Sequence, residues 1–144
     1  MILAGIDLAW ACTKNPTAIA IGTYDGDILE VTDVHASVLP VDDILNKVLE
    51  INGLTGVAVD ASLIIPNVTG QRPCERELSA HYGKMGASCH ASNLTLYPDA
   101  GSVALSRKLE DHDFKHLGTE KWQIECYPHP AIIEIFDLPE RLKY

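Results

Sequence analysis

A chain of 144 residues, 47% of them apolar and with no low-complexity tract, can bury one hydrophobic core and is too apolar for wholesale disorder. Its 20 acidic residues against 11 Lys and Arg give a net charge of −9, which argues against broad phosphate-backbone binding. A nuclease is not excluded, because bound divalent ions reverse the sign of an acidic cleft.

The opening MILAGIDLAW has no basic flank and meets Asp7 before it could span a bilayer, so neither export nor membrane anchoring is expected. Cys12, Cys74, Cys89 and Cys126 follow no CxxC spacing and read as reduced thiols of a cytoplasmic protein. Ile2 to Leu8 is nearly all apolar, the pattern of a central strand buried on both faces, with Asp7 at its carboxyl end. A polar turn over Cys12 to Pro16 leads to a second apolar strand, Thr17 to Thr23. Tyr24-Asp25-Gly26-Asp27 marks a tight turn, and Ile28, Glu30, Thr32 and Val34 then alternate with Leu29, Val31 and Asp33 over a third strand, Ile28 to His35.

From Pro40 the period lengthens: Val41, Ile44, Leu45, Val48, Leu49 and Ile51 recur at helical spacing until Asn52-Gly53. Gly56 to Asp60 is a fourth strand ending in an acid, expected parallel to the first because a helix precedes it. Pro66 to Pro73 reads as a loop, Cys74 to Met85 as a helix, and Asp99 to about Asp111 as a further helix on a partial apolar face. Trp122 to Tyr127 reads as a fifth strand carrying Glu125, and Pro128 to Phe136 as a helix. The sum is an α/β fold: a mixed five-stranded sheet of three antiparallel strands, then parallel strands four and five, flanked by helices.

Ligands of such sheets gather at the carboxyl ends of parallel strands. Adjacent strands lie about 4.8 Å apart, so Asp7 and Asp60 meet the spacing that brackets a divalent ion; Glu125, two strands from the first, starts roughly 9 to 10 Å away with a longer side chain. Crowded carboxylates repel, and Mg²⁺ or Mn²⁺ would hold them ionised as ligands for phosphodiester hydrolysis. Against this stands the plain alternative that a strand-end acid caps the next turn or helix. Arg72, just before a helix start, suits a phosphate oxygen or, equally, a surface pair with Glu75 or Glu77. His129 between two prolines suits a proton shuttle or, with Cys126, a metal, although a strand-end Cys is more often a small buried hydrophobe. His112 and His116 would share a face only on a continuous helix. No P-loop, dinucleotide fingerprint or nucleophile elbow is present; Ser62 lacks the context.

The stretches GIDLAW (5–10), NPTAIAIG (15–22), VAVDASL (57–63), GQRPCEREL (70–78) and ECYPHPAIIEIFDLPERLKY (125–144) together resemble the predicted ribonuclease H-like nucleases, a domain of unknown function (DUF429). The resemblance implies a ribonuclease H-like fold, with Asp7, Asp60 and Glu125 at the family's acidic positions and Arg72, Glu75 and His129 in its motifs. Members usually continue past the LKY segment, so 1–144 is expected to be one domain that is either C-terminally truncated or a natural short form that has lost turnover while keeping the fold. The function expected is a metal-dependent nuclease acting on nucleic acid or a nucleotide. Its alternatives are a non-catalytic nucleotide- or nucleic-acid-binding module, a sugar-kinase-like phosphotransferase short of its second lobe, and a homodimer in which the missing helix is replaced across the interface.

Overall fold

The computed structural model describes residues 1–10 and 14–143, so the expectations for Cys12 and the turn it opens lie outside the described residues. In chain order the elements are β1 (Ile2–Asp7), β2 (Thr17–Tyr24), β3 (Leu29–Ser37), α1 (Val41–Leu49), β4 (Leu54–Asp60), α2 (Pro73–Tyr82) with a 3₁₀ turn (Gly83–Met85), α3 (Gly101–Asp111), β5 (Lys115–His116), β6 (Trp122–Glu125) and α4 (Pro128–Phe136). They form two compact units, Met1–Ile64 with Ala100–Cys126, and Ile65–Asp99 with Tyr127–Tyr144. Among the described residues no helix is long and apolar enough to cross a membrane.

The first unit holds the sheet, in the order β3-β2-β1-β4-β6-β5. β1, β2 and β3 pair antiparallel, and β4 joins β1 in parallel, as the helix-crossover pattern predicts. The expected five strands are six. Lys115–His116 pairs in parallel with β6, and a two-residue strand carries no alternation from which it could be read. His116 is thereby placed in a strand while His112 caps α3, so the two imidazoles do not share a helical face.

One side of the sheet is the core. Ala4, Ile6, Ile19, Val57 and Val59 pack with Ile44, Leu45 and Val48 of α1 and Leu105 and Leu109 of α3. The apolar positions of α1 recur three and four residues apart, which turns one stripe toward the sheet. Gln123 of β6 is fully buried on this side, and its amide donates to the carbonyls of Ser106 and Phe114 at 2.8 and 3.0 Å, tying β6 to α3 and the turn that follows. On the other side the Trp122 indole lies across Gly56, where an added Cβ would meet ring atoms at 2.2 Å. Gly56→Ala is therefore expected to lower stability by about 1–3 kcal/mol through overpacking. Urea unfolding checks this, and an unchanged midpoint would remove the close approach as the reason for glycine there.

The regular alternation expected along the third strand breaks at a register shift: Ile21 faces Asp33, but Gly22 faces Val31. Thr32 is the extra residue of this bulge, and Val31 and Val34 come to share a face.

The second unit is built on α2, α4 and irregular chain. Glu75, buried in the first turn of α2, accepts the backbone N–H of Arg72 at 2.8 Å and its Nε–H at 2.8 Å, and the backbone N–H of Ser92 at 3.2 Å. One carboxylate thus caps the helix, neutralises a buried guanidinium and pins the irregular stretch near 92. Tyr82 donates to Glu134 of α4 at 2.8 Å, and Tyr127 donates to the Ser88 carbonyl at 3.0 Å.

Candidate functional site

β1 and β4 run parallel with Ala4 opposite Val57, Gly5 opposite Ala58, Ile6 opposite Val59 and Asp7 opposite Asp60. The pleat alternates, so with Ile6 and Val59 turned into the core, Asp7 and Asp60 stand side by side on the face away from α1 and α3. Both are the last residues of their strands, where the chain must leave the sheet. Two carboxylates expected to be neighbours from sequence are register partners.

Glu125 closes β6, on the far side of β4 from β1, as expected. Its register partner is Val59, one step before Asp60. That step places Glu125 on the opposite pleat from the Asp pair, and its Oε2 accepts the backbone N–H of Leu63 at 3.0 Å. Among the described residues no group of three or more His, Cys, Asp or Glu is gathered as a metal-ligand set. Asp7 and Asp60 are brought together, and Glu125 stands behind them.

Electrostatics records the crowding. The Asp60 carboxyl is pushed up to about 6 by burial, then by the charge of Asp7, then by that of Glu125. The Cys126 thiol, pushed up to about 11 by burial and by the same three acids, remains protonated at neutral pH, and the residue is half-buried rather than a core position. Among the described residues no positive charge figures in the causes that shift Asp60. Asp7 and Asp60 present hard oxygen donors side by side, which suits an ion such as Mg²⁺ that takes one or two protein carboxylates and completes its shell with water and substrate oxygens.

Three contacts that sequence reasoning missed hold the loops beyond these acids. Thr17, fully buried, accepts the backbone N–H of Ala9 at 3.2 Å through its hydroxyl and so fastens the turn after Asp7. The Ser102 hydroxyl donates to the Ser62 carbonyl at 2.6 Å, and Glu125 holds Leu63, so the segment after Asp60 is tied to α3 and β6. None of the three has a local signature; the partners of Ser62 and Leu63 lie 40 and 62 residues away.

Arg72 and His129 belong to the second unit. Arg72 is buried against Glu75, the pairing that stood beside its phosphate reading. His129 is half-buried near the start of α4, its ring edge-on to Tyr127 at 5.6 Å between centroids. The thiols of Cys74, Cys89 and Cys126 are unbridged.

A family model described as "Protein of unknown function (DUF429)" matches residues 5–144. No curated protein and no solved structure matches.

Proposed function

The chain belongs to the DUF429 family, and from that premise we propose that it is a ribonuclease H-like, divalent-metal-dependent hydrolase of phosphodiesters, acting on nucleic acid or a nucleotide. The observation that carries the proposal is the Asp7–Asp60 register pair at the carboxyl ends of two parallel strands, with Asp60 pushed up to about 6. The order of three antiparallel strands followed by parallel β4 and β6 supports the fold reading.

In this reading Asp7 and Asp60 would hold Mg²⁺ or Mn²⁺, while Glu125, a third acid by the family resemblance, stands on the opposite pleat and holds the Leu63 N–H. When bound, the ion activates water and stabilises the charge that develops on the phosphate. The protein's share is to present two carboxylates without rearrangement, which the Thr17, Ser102 and Glu125 contacts favour by fixing the loops beside them. Arg72 as phosphate contact and His129 as proton carrier rest only on the resemblance of GQRPCEREL and ECYPHP to family motifs; both residues belong to the second unit, and Arg72 is buried against Glu75.

A non-catalytic binding module of the same fold is the second reading, favoured by the lack of a three-ligand set among the described residues. Isothermal titration with Mg²⁺ and Mn²⁺, followed by a cleavage screen on single-stranded DNA, RNA and nucleotides, separates the two. Metal binding lost in Asp7→Asn/Asp60→Asn together with cleavage supports the hydrolase. Nucleotide binding without cleavage in either metal selects the module, and a double variant that binds metal as the wild type does would refute the site.

A further inference from the structure

β3 is an edge strand of nine residues with β2 on one side and, among the described residues, no strand on the other. An unpaired strand edge is a template for another strand, which proteins guard with proline, lysine, shortness, bulges or inward-pointing charges; of these β3 carries the bulge at Thr32 and the acids Glu30 and Asp33. β3, LEVTDVHAS, has no proline and no lysine. Its apolar side chains bury little: Leu29 is 57%, Val31 58% and Val34 65% exposed.

The bulge at Thr32 sorts the strand by face. Leu29, Val31, Val34 and Ala36 lie opposite Tyr24, Gly22, Ala20 and Ala18, on the face away from the helices. Glu30, Asp33, His35 and Ser37 lie opposite Thr23, Ile21, Ile19 and Thr17, on the core side. At this edge the polarity is inverted relative to the sheet's own core. That inversion stabilises nothing within one chain, since β3 is exposed along almost its whole length.

We propose that β3 pairs antiparallel with β3 of a second copy of this chain, about a two-fold axis passing between Thr32 and Asp33, to give a continuous sheet across a homodimer. In that register Val31 faces Val34 and Leu29 faces Ala36 on the outer face, while Glu30 faces His35 on the core side, and symmetry makes every pair occur twice. These three pairs each join side chains of the same face, as an antiparallel ladder requires, and the Glu30–His35 pair sets a carboxylate acceptor against an imidazole donor. Neighbouring registers fail on charge or on face. Centring the axis on Asp33 opposes that carboxylate to its own copy, and a shift that pairs Glu30 with Asp33 opposes two acids. A net charge of −9 on each copy repels at long range, so added salt strengthens the association.

The test is sedimentation equilibrium of wild type, Glu30→Lys, and Glu30→Lys/His35→Glu, each checked for folding by circular dichroism. The wild type is expected to dimerise. Glu30→Lys sets a cation against His35 twice and weakens the dimer by about tenfold; the double variant restores an opposite-charge pair and recovers it. A wild type that stays monomeric over the whole accessible concentration range overturns the proposal. So does a dimer indifferent to Glu30→Lys, and so does one weakened by it but not recovered in the double variant.

Discussion

On the proposed hydrolase reading, Asp60→Asn is expected to reduce metal-dependent phosphodiester cleavage by about a hundredfold or more, and in any case to make the metal-free protein more stable at neutral pH. The two effects share one cause. The Asp60 carboxyl, pushed up to about 6 from an ordinary 3.8 by burial, Asp7 and Glu125, binds its proton more tightly in the folded chain than in the unfolded one. Stability therefore falls as pH rises from about 4 through about 6, and above that window the ionised group carries a constant penalty. Discounted for the solvent that still reaches this half-buried side chain, the penalty is about 1–2 kcal/mol. Asparagine keeps the shape and removes the charge. The gain should be full above about pH 6, vanish below about pH 4, and shrink when saturating Mg²⁺ stabilises the wild type alone. Thermal unfolding of both proteins in EDTA across that range is the measurement, and parallel curves at every pH would contradict the assignment of strain to Asp60.

The largest loss of stability is expected at the second unit's buried ion pair. Glu75→Ala should destabilise by about 3–5 kcal/mol, because it removes the carboxylate that accepts the Nε–H of Arg72, a residue only 7% exposed, and the backbone N–H groups of Arg72 and Ser92. Replacing both partners, in Arg72→Leu/Glu75→Leu, should recover much of that loss, since the buried guanidinium is then removed together with its carboxylate. The pH sign is opposite to that of Asp60. Burial by itself would raise the Glu75 pKa, but hydrogen bonds from the Arg72 N–H, from Ser92 and from the Arg72 guanidinium outweigh it and hold the carboxyl below its usual range. Its contribution is complete above the unfolded value of about 4.5 and is lost as pH falls through the lower folded value. Urea unfolding at neutral and acidic pH reads both points; a Glu75→Ala protein as stable as the wild type at pH 7 would show that the pair is not structural.

These two acids illustrate how differently carboxylates can be read from a chain. Asp60 announces itself, because a short apolar run stops at it just as β1 stops at Asp7, and strand spacing then makes them neighbours. Glu75 was legible only as one of two surface partners, with Glu77, that Arg72 could take. The third tie, to Ser92, crosses irregular chain that carries no periodic signal. Glu125 lies between these cases: its strand and its place two removed from β1 followed from the order of elements, but its register did not. A single-residue offset, Val59 rather than Asp60 as partner, moves a side chain to the other pleat.

By itself the sequence determined what depends on local periodicity and covalent order: the alternation of strands and helices, the parallel crossover into β4, the helices over 41–49, 101–111 and 128–136, and the pairing of Asp7 with Asp60. Tertiary structure alone decided the sixth strand, the bulge that turns Val31 and Val34 to one face, the bond from Glu125 to Leu63, and the burial of Arg72 against Glu75. The reason is one of range. Hydrophobic spacing is written in neighbouring residues, whereas register, strand edges and the partners of buried polar groups are set by contacts between segments far apart in the chain, where one residue of slip changes which face a side chain occupies.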